Sequence, residues 1–155
     1  MHWSARDIWV WVLIAWIGVI FSSSTSLAGK TSEQLFSYLS ELLFPELHTE
    51  TSSYATLHFV ADKGVHVFLF CVLGILLWKE LSKMGVGRKI ATALLLGAIV
   101  GSCSEILQRF FPGRDPAITD VLINVGATAI GLAGCVFFAR RAGVRDEVGA
   151  GTEWK

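Results

Sequence analysis

Four long stretches of the chain are almost free of charge, and they constrain its fold more than any other feature. The stretches are Ile8–Phe21, Val65–Trp78, Ile90–Leu107 and Ile118–Ala139. A bilayer core of about 30 Å needs roughly 20 helical residues, and each stretch reaches that length once its polar ends are included. Helices of a water-soluble bundle need a polar face, which these stretches lack. The pattern therefore predicts an all-α integral membrane protein built as a four-helix bundle.

The predicted transmembrane domain covers residues 1–141. Its four spanning helices are expected at about 8–28, 57–81, 90–110 and 118–139. The tail, 142–155, is Gly-rich and polar, and we predict that it is disordered. An alternative for the first helix is a cleaved signal peptide that begins at Arg6 and ends in the small-residue motif Ser26-Leu27-Ala28. We favour retention, because the tryptophans of this stretch are bulky for a signal sequence.

A shorter amphipathic helix is predicted at about 32–44, in the loop between the first two spans. Thr31 and Gln34 have the spacing of a capping box, and Pro45 is expected to end the helix. One helical face carries Leu35, Leu39, Leu42 and Leu43. We expect this helix to lie in the outer membrane interface.

The charge balance argues against nucleic-acid binding, and the cysteines form no recognisable motif. Lys and Arg number 13, as do Asp and Glu, so the net charge is zero, and 17% of residues are charged against 53% hydrophobic. Without a basic field the chain is not expected to bind nucleic acid. The three cysteines lie in apolar stretches without a CxxC motif, so we expect small buried residues. The expected partners are membrane lipids, and the sequence does not define an oligomeric state.

The positions of Lys and Arg predict the orientation in the membrane. The N-terminus, the second loop and the C-terminal tail carry nine of these residues, and the first and third loops carry four. Basic loops stay on the cytoplasmic side. We therefore predict a multi-pass protein of the bacterial inner (plasma) membrane with both termini in the cytoplasm.

Seven polar side chains occur at helix ends that this topology places at one membrane face. They are Asp62, Lys63, His66, Glu105, Gln108, Asp120 and Asn124. A charge in hydrocarbon costs about 2.5–3.5 kcal/mol, so such groups usually pair and mark function. The link between the third and fourth spans adds Arg114, whose planar guanidinium suits a carboxylate or phosphate. Close helix approach is allowed by Gly97, Gly101, Ala127 and Gly131. The sequence thus predicts a polar cluster at the outer rim.

Three segments of this cluster carry a family resemblance. They are Asp62–His66 (DKGVH), Glu105–Arg114 (EILQRFFPGR) and Asp120–Gly126 (DVLINVG). In order and spacing they resemble the VanZ-like family, whose pattern reads D/R-K-x-x-H, then E-x-x-Q-x-F-x-P-x-R, then D-x-x-x-N-x-x-G. The one departure is the final glycine, because Gly126 comes one residue earlier than in that pattern. The resemblance covers about Leu57–Gly134, and the first helix carries no matching motif. It implies a small membrane protein of the cell envelope, in a family named after a teicoplanin-resistance accessory protein.

The favoured function is a binding module in which the cluster forms an externally facing polar pocket. Lys63 and Arg114 would hold a phosphate or carboxylate. The predicted ligand-binding residues are Lys63, His66, Glu105, Gln108, Arg114, Asp120 and Asn124. The expected ligand is an anionic or amide-bearing envelope molecule: a lipid-linked cell-wall or polysaccharide intermediate, or a glycopeptide-related ligand. The family resemblance implies a link to antibiotic resistance, which need not be the role of this chain.

Two alternatives stay open at this point. In the first, the protein is an enzyme that acts on a lipid-linked phosphate or sugar, with His66 and either Glu105 or Asp120 as acid and base. In the second, the cluster only locks helix packing, with Lys63 paired to Glu105 or Asp120. Neither a metal nor a cofactor is expected, although His58, Asp62 and His66 share a helical face.

Overall fold

The computed structural model describes the backbone of residues 5–43, 52–84, 88–111 and 116–150, and most side chains between Ile8 and Arg141. The secondary structure consists of α1 (Ala5–Ser23), α2 (Ser26–Leu43), α3 (Ser52–Lys83), α4 (Lys89–Gln108) and α5 (Ile118–Ala150). These ranges contain no strand, as expected for the predicted all-α class.

Three of these helices are long and apolar enough to cross a membrane: α3, α4 and the Ile118–Arg141 part of α5. The apolar part of α1, Ile8–Ser23, is shorter. At 1.5 Å per residue it extends about 24 Å, against a hydrocarbon core of about 30 Å. Of the four predicted spans, three are therefore full-length helices, and the first is a shorter apolar helix.

α1 ends at Ser23 rather than near residue 28, because hydroxyl groups in the following turn bond back to the helix. Ser24 Oγ donates to the carbonyl of Ile20 at 3.2 Å, and Thr25 Oγ1 donates to the carbonyl of Ser22 at 2.8 Å. Such bonds offer the backbone an alternative to continued helix. The Ser/Thr run that we assigned to the first span instead separates two helices.

α2 is the predicted amphipathic helix, but it begins earlier and meets the bundle differently. It starts at Ser26, so Thr31 lies inside the helix and is not its N-cap. The predicted apolar face is exposed, at 57% for Leu35, 41% for Leu39, 64% for Leu42 and 65% for Leu43. Phe36 instead packs edge-on against Tyr54 and His58 of α3, with ring centroids 5.5 and 5.0 Å apart. An interfacial position of α2 stays a prediction.

α3 is the central helix of the bundle and contacts α1, α4 and α5. Its buried side chains line one helical face: Leu69, Phe70, Leu73, Leu77 and Leu81. α1 joins this core through Ile20, which is 1% exposed, and through Trp16, whose Nε1 donates to the carbonyl of Leu69 at 2.9 Å. α1 is therefore packed as a member of the bundle, and its retention stays a prediction.

Glycines bring α3 and α5 into backbone contact. A Cβ on Gly131 would collide with the carbonyl of Cys71, and a Cβ on Gly74 would lie 2.5 Å from the carbonyl oxygen of Thr128. Neither position has room for a side chain, so small residues are required on both helices. Ala127, 2% exposed, lies one turn before Gly131, so the predicted small-residue motif packs at this interface.

α5 extends to Ala150, beyond the predicted end at Ala139. The added segment contains no proline, the residue that most strongly breaks a helix. Residues 142–150 are assigned to the end of this helix, and the disorder of the tail stays a prediction. Residues 151–155 lie outside the described part of the chain.

Candidate functional site

The helix directions bring the candidate residues to one end of the bundle. Ser24, just after α1, and Ser104, near the end of α4, share a buried hydrogen bond of 2.7 Å. At the opposite end, Nζ of Lys79 on α3 lies 3.0 Å from the ring centroid of Trp9 on α1. α1 and α4 therefore run parallel to each other and antiparallel to α3. The polar end of α4 consequently lies beside the polar start of α3.

Lys63 and Asp120 form an ion pair between α3 and α5. The distance from Lys63 Nζ to Asp120 Oδ2 is 2.5 Å, and the two side chains are 23% and 12% exposed. The Lys63 ammonium also lies 5.4 Å from the ring centroid of Phe59, within the range of a cation–π contact. This arrangement neutralises Lys63, so the lysine is not a free anion-binding group here.

Glu105 connects the end of α4 to the start of α5. Its Oε2 accepts a hydrogen bond from the backbone N–H of Ala117 at 3.3 Å, and its Oε1 accepts one from Gln108 Nε2 at 3.4 Å. Glu105 and Gln108 are each 5% exposed. Ala117 precedes the first residue of α5, where backbone N–H groups lack helical partners and the helix dipole favours a negative charge. The buried carboxylate therefore stabilises the start of α5.

His66 and Asn124 lie about one helical turn deeper than the ion pair. His66 is 7% exposed, and Asn124 is fully buried. Asn124 faces α4, where a Cβ on Gly101 would lie 3.3 Å from the Asn124 Cβ. Neither Oδ1 nor Nδ2 of Asn124 has a hydrogen-bond partner among the described residues. A buried polar group without a partner costs about 1–3 kcal/mol, so this carboxamide requires an explanation.

Sequence reasoning missed three buried hydroxyl residues in the bundle interior: Ser24, Ser104 and Thr128. Thr128 follows Asp120 and Asn124 at intervals of four residues, and its Oγ1 donates to the carbonyl of Asn124 at 2.9 Å. That spacing was visible in the sequence and extends the polar face of α5. The bond between Ser24 and Ser104 gave no such signal, because the two residues are 80 positions apart.

The structure does not add two other predicted groups, Arg114 and His58, to the described cluster. Arg114 lies in the undescribed segment 112–115, so its place above the cluster stays a prediction. The ring of His58 stacks on that of Tyr54, with 6.4 Å between the ring centroids. Both rings contact Phe36, so His58 is part of the contact with α2. In the described part of the chain, no group of three or more His, Cys, Asp or Glu is placed to hold a metal ion.

An open cleft of about 780 Å³ lies between α2 and α3 at the same end of the bundle. Its lining is polar and aromatic, and consists of Glu33, Gln34, Ser37, Tyr38, Glu41, Tyr54 and His58. His58 is one helical turn before Asp62, so the cleft adjoins the cluster. None of the predicted binding residues that the structure describes lines this cleft. Lys63 pairs instead with Asp120, and Gln108 bonds to Glu105.

Comparison with known proteins identifies the family of the chain. No curated protein and no solved structure matches it. A family model described as VanZ/LLP1 matches residues 9–139, including α1 and α2, where the motifs gave no resemblance. The match covers most of the chain, and those motif residues that the structure describes lie at one end of the bundle. The chain therefore belongs to the VanZ/LLP1 family.

Proposed function

We propose that the polar cluster binds an amide-bearing envelope molecule, with a lipid-linked cell-wall or polysaccharide intermediate as its class. The observation that supports this proposal is the buried Asn124 carboxamide, whose polar atoms lack partners among the described residues. A cluster that only locks helix packing is expected to satisfy its own polar groups. A polar group from a ligand would supply the missing partner.

The charges of the cluster favour an amide or hydroxyl group over a bare anion. Lys63 is neutralised by Asp120, and Glu105 adds a second carboxylate. An isolated phosphate would therefore have to compete with Asp120 for the Lys63 ammonium. Amides both donate and accept, so they match the carboxylates as well as the Asn124 side chain. Arg114 is the predicted partner for an anionic group of the same ligand.

The exposure of the side chains suggests the order in which such a ligand would contact them. The Lys63–Asp120 pair is partly exposed, whereas Asn124 is enclosed. A ligand would therefore reach the ion pair first and Asn124 only after the helices separate. In the orientation predicted from the basic loops, this end faces outward from the bacterial inner membrane, where lipid-linked intermediates are displayed.

The proposal is tested by binding to the purified protein in nanodiscs of zwitterionic lipid. The probes are a polyprenyl diphosphate that carries a sugar and peptide, and polyprenyl phosphate without them. We expect tighter binding of the amide-bearing probe. Glu105→Gln and Asn124→Leu should each weaken that binding by about tenfold or more, since a hydrogen bond to a charged or buried group is lost.

Glu80 provides a matched control at the opposite end of the bundle. It is a buried carboxylate whose Oε1 accepts a hydrogen bond from Lys83 Nζ at 2.8 Å. Glu80→Gln makes the same chemical change as Glu105→Gln and should leave binding intact. Unchanged binding in the Glu105 and Asn124 variants would contradict the proposal and favour the structural lock. Turnover of a probe that His66→Ala abolishes would favour the enzyme instead.

A further inference from the structure

A groove between α4 and α5 lies at the end of the bundle opposite the polar cluster. Its volume is about 360 Å³. Its walls are apolar, with Ile90 and Leu94 from α4 and Leu132, Val136 and Phe137 from α5. Arg140 is the one charged residue of the lining. The groove therefore combines a hydrocarbon surface with a cation at one end.

The groove owes its depth to two alanines on α5. Ala129 and Ala133 lie one turn apart, and both line it. Their short side chains leave a hollow between larger neighbours. From Ala129 to Arg140 the helix rises about 16 Å, which is close to half of a hydrocarbon core of about 30 Å. Along the helix axis, the groove thus extends over about the thickness of one membrane leaflet. Arg140 lies at its interface end.

Basic residues cluster at this end without acidic partners. Arg141 lies with its guanidinium 4.3 Å from the ring centroid of Phe137, and Lys89 Nζ lies 5.7 Å from that of Trp78. Within the described residues, neither these two nor Arg140 forms an ion pair with a carboxylate. Lys63 and Lys83, by contrast, are both paired. The charges beside the groove are therefore available to an external anion.

We propose that this groove binds an anionic phospholipid, with one acyl chain along Ala129 and Ala133 and the phosphate beside Arg140. Apolar walls alone do not select between lipids, because any lipid tail fills them equally well. Unpaired basic residues at the interface select for negatively charged headgroups. The site is independent of the proposed ligand-binding function, because it lies at the other end of the bundle.

Native mass spectrometry of the full chain in detergent tests this site. Phosphatidylglycerol and phosphatidylcholine with identical acyl chains are titrated against the protein. We expect phosphatidylglycerol to bind more tightly. Arg140→Ala should weaken its binding about fivefold, the effect of one interfacial basic residue, and leave phosphatidylcholine unchanged. Ala133→Phe, which fills the groove, should weaken the binding of both lipids.

Arg109, exposed at the cluster end, supplies the control for loss of charge. Arg109→Ala should keep the preference for phosphatidylglycerol, as should Arg140→Lys, which retains the charge. Equal binding of both lipids to the wild type would overturn the proposal. So would an Arg109→Ala variant as impaired as Arg140→Ala, or an Ala133→Phe variant that binds like wild type. Arg140→Gln serves in place of Arg140→Ala if that variant does not fold.

Discussion

Replacing Gly131 by alanine should force α3 and α5 apart, because the contact between them has no room for a methyl group. The added Cβ would collide with the carbonyl of Cys71, a backbone group that cannot rotate aside. Gly134, one turn further along the same helix, has no atom within 4 Å of the corresponding position. The two substitutions therefore make the same chemical change in opposite surroundings.

The expected size of the effect follows from two opposing contributions. Overpacking costs about 1–3 kcal/mol, and a collision with backbone belongs at the upper end of that range. Replacing glycine by alanine in an unobstructed helix gains about 1 kcal/mol of helix propensity. Gly134→Ala should therefore stabilise the protein by about 1 kcal/mol. Gly131→Ala should destabilise it by about 2 kcal/mol, which leaves a difference of about 3 kcal/mol between the variants.

Unfolding by sodium dodecyl sulfate in mixed micelles, followed by circular dichroism, measures this difference in the free energy of unfolding. Gly74→Ala should behave like Gly131→Ala, since its Cβ would lie 2.5 Å from a backbone oxygen of the facing helix. Equal stability of Gly131→Ala and Gly134→Ala would refute the close approach of the two backbones.

The same assay tests three further contacts. Lys63→Met or Asp120→Leu alone should destabilise the protein by about 3 kcal/mol, and the double variant should regain most of this loss, because neither charge is left without its partner. Additive losses would contradict the ion pair. Ser24→Ala should cost about 1 kcal/mol by removing the bond to α4, whereas Ser22→Ala, exposed and bonded within its own helix, should be neutral. Trp16→Phe should also cost about 1 kcal/mol, and an unchanged stability would show that its indole bond does not hold α1 to α3.

The sequence predicts that Lys63 pairs with a carboxylate of the cluster, but it does not predict which carboxylate. A charge in an apolar helix has to pair, and helix directions restrict its partners to the same end of the bundle. Glu105 and Asp120 were therefore equivalent partners for Lys63. The backbone contact at Gly74 and Gly131 draws α5 against α3, which places Asp120 beside Lys63. Glu105 bonds instead to the link before α5.

Helix ends and minor contacts were less accessible to sequence reasoning. The end of α1 depends on hydroxyl groups that bond to backbone carbonyls, and hydropathy treats such residues as a weakly polar continuation of the span. In α2, the periodicity of leucine marked an apolar face. The contact with the bundle is made instead by Phe36, which lies beside that face. Phe36 packs against the rings of Tyr54 and His58 on α3.

The glycine contact divides the molecule into a fixed part and a movable part. Helices whose backbones touch cannot slide past each other without losing the contact, so α3 and α5 form one rigid unit. α4 meets α5 differently, since a Cβ on Gly97 would approach only the side chain of Thr128, which can rotate. A displacement of α4 that uncovers Asn124 would break the hydrogen bond between Glu105 and Ala117. The ion pair between Lys63 and Asp120 joins α3 to α5 and would be kept, while Glu105 would move with α4.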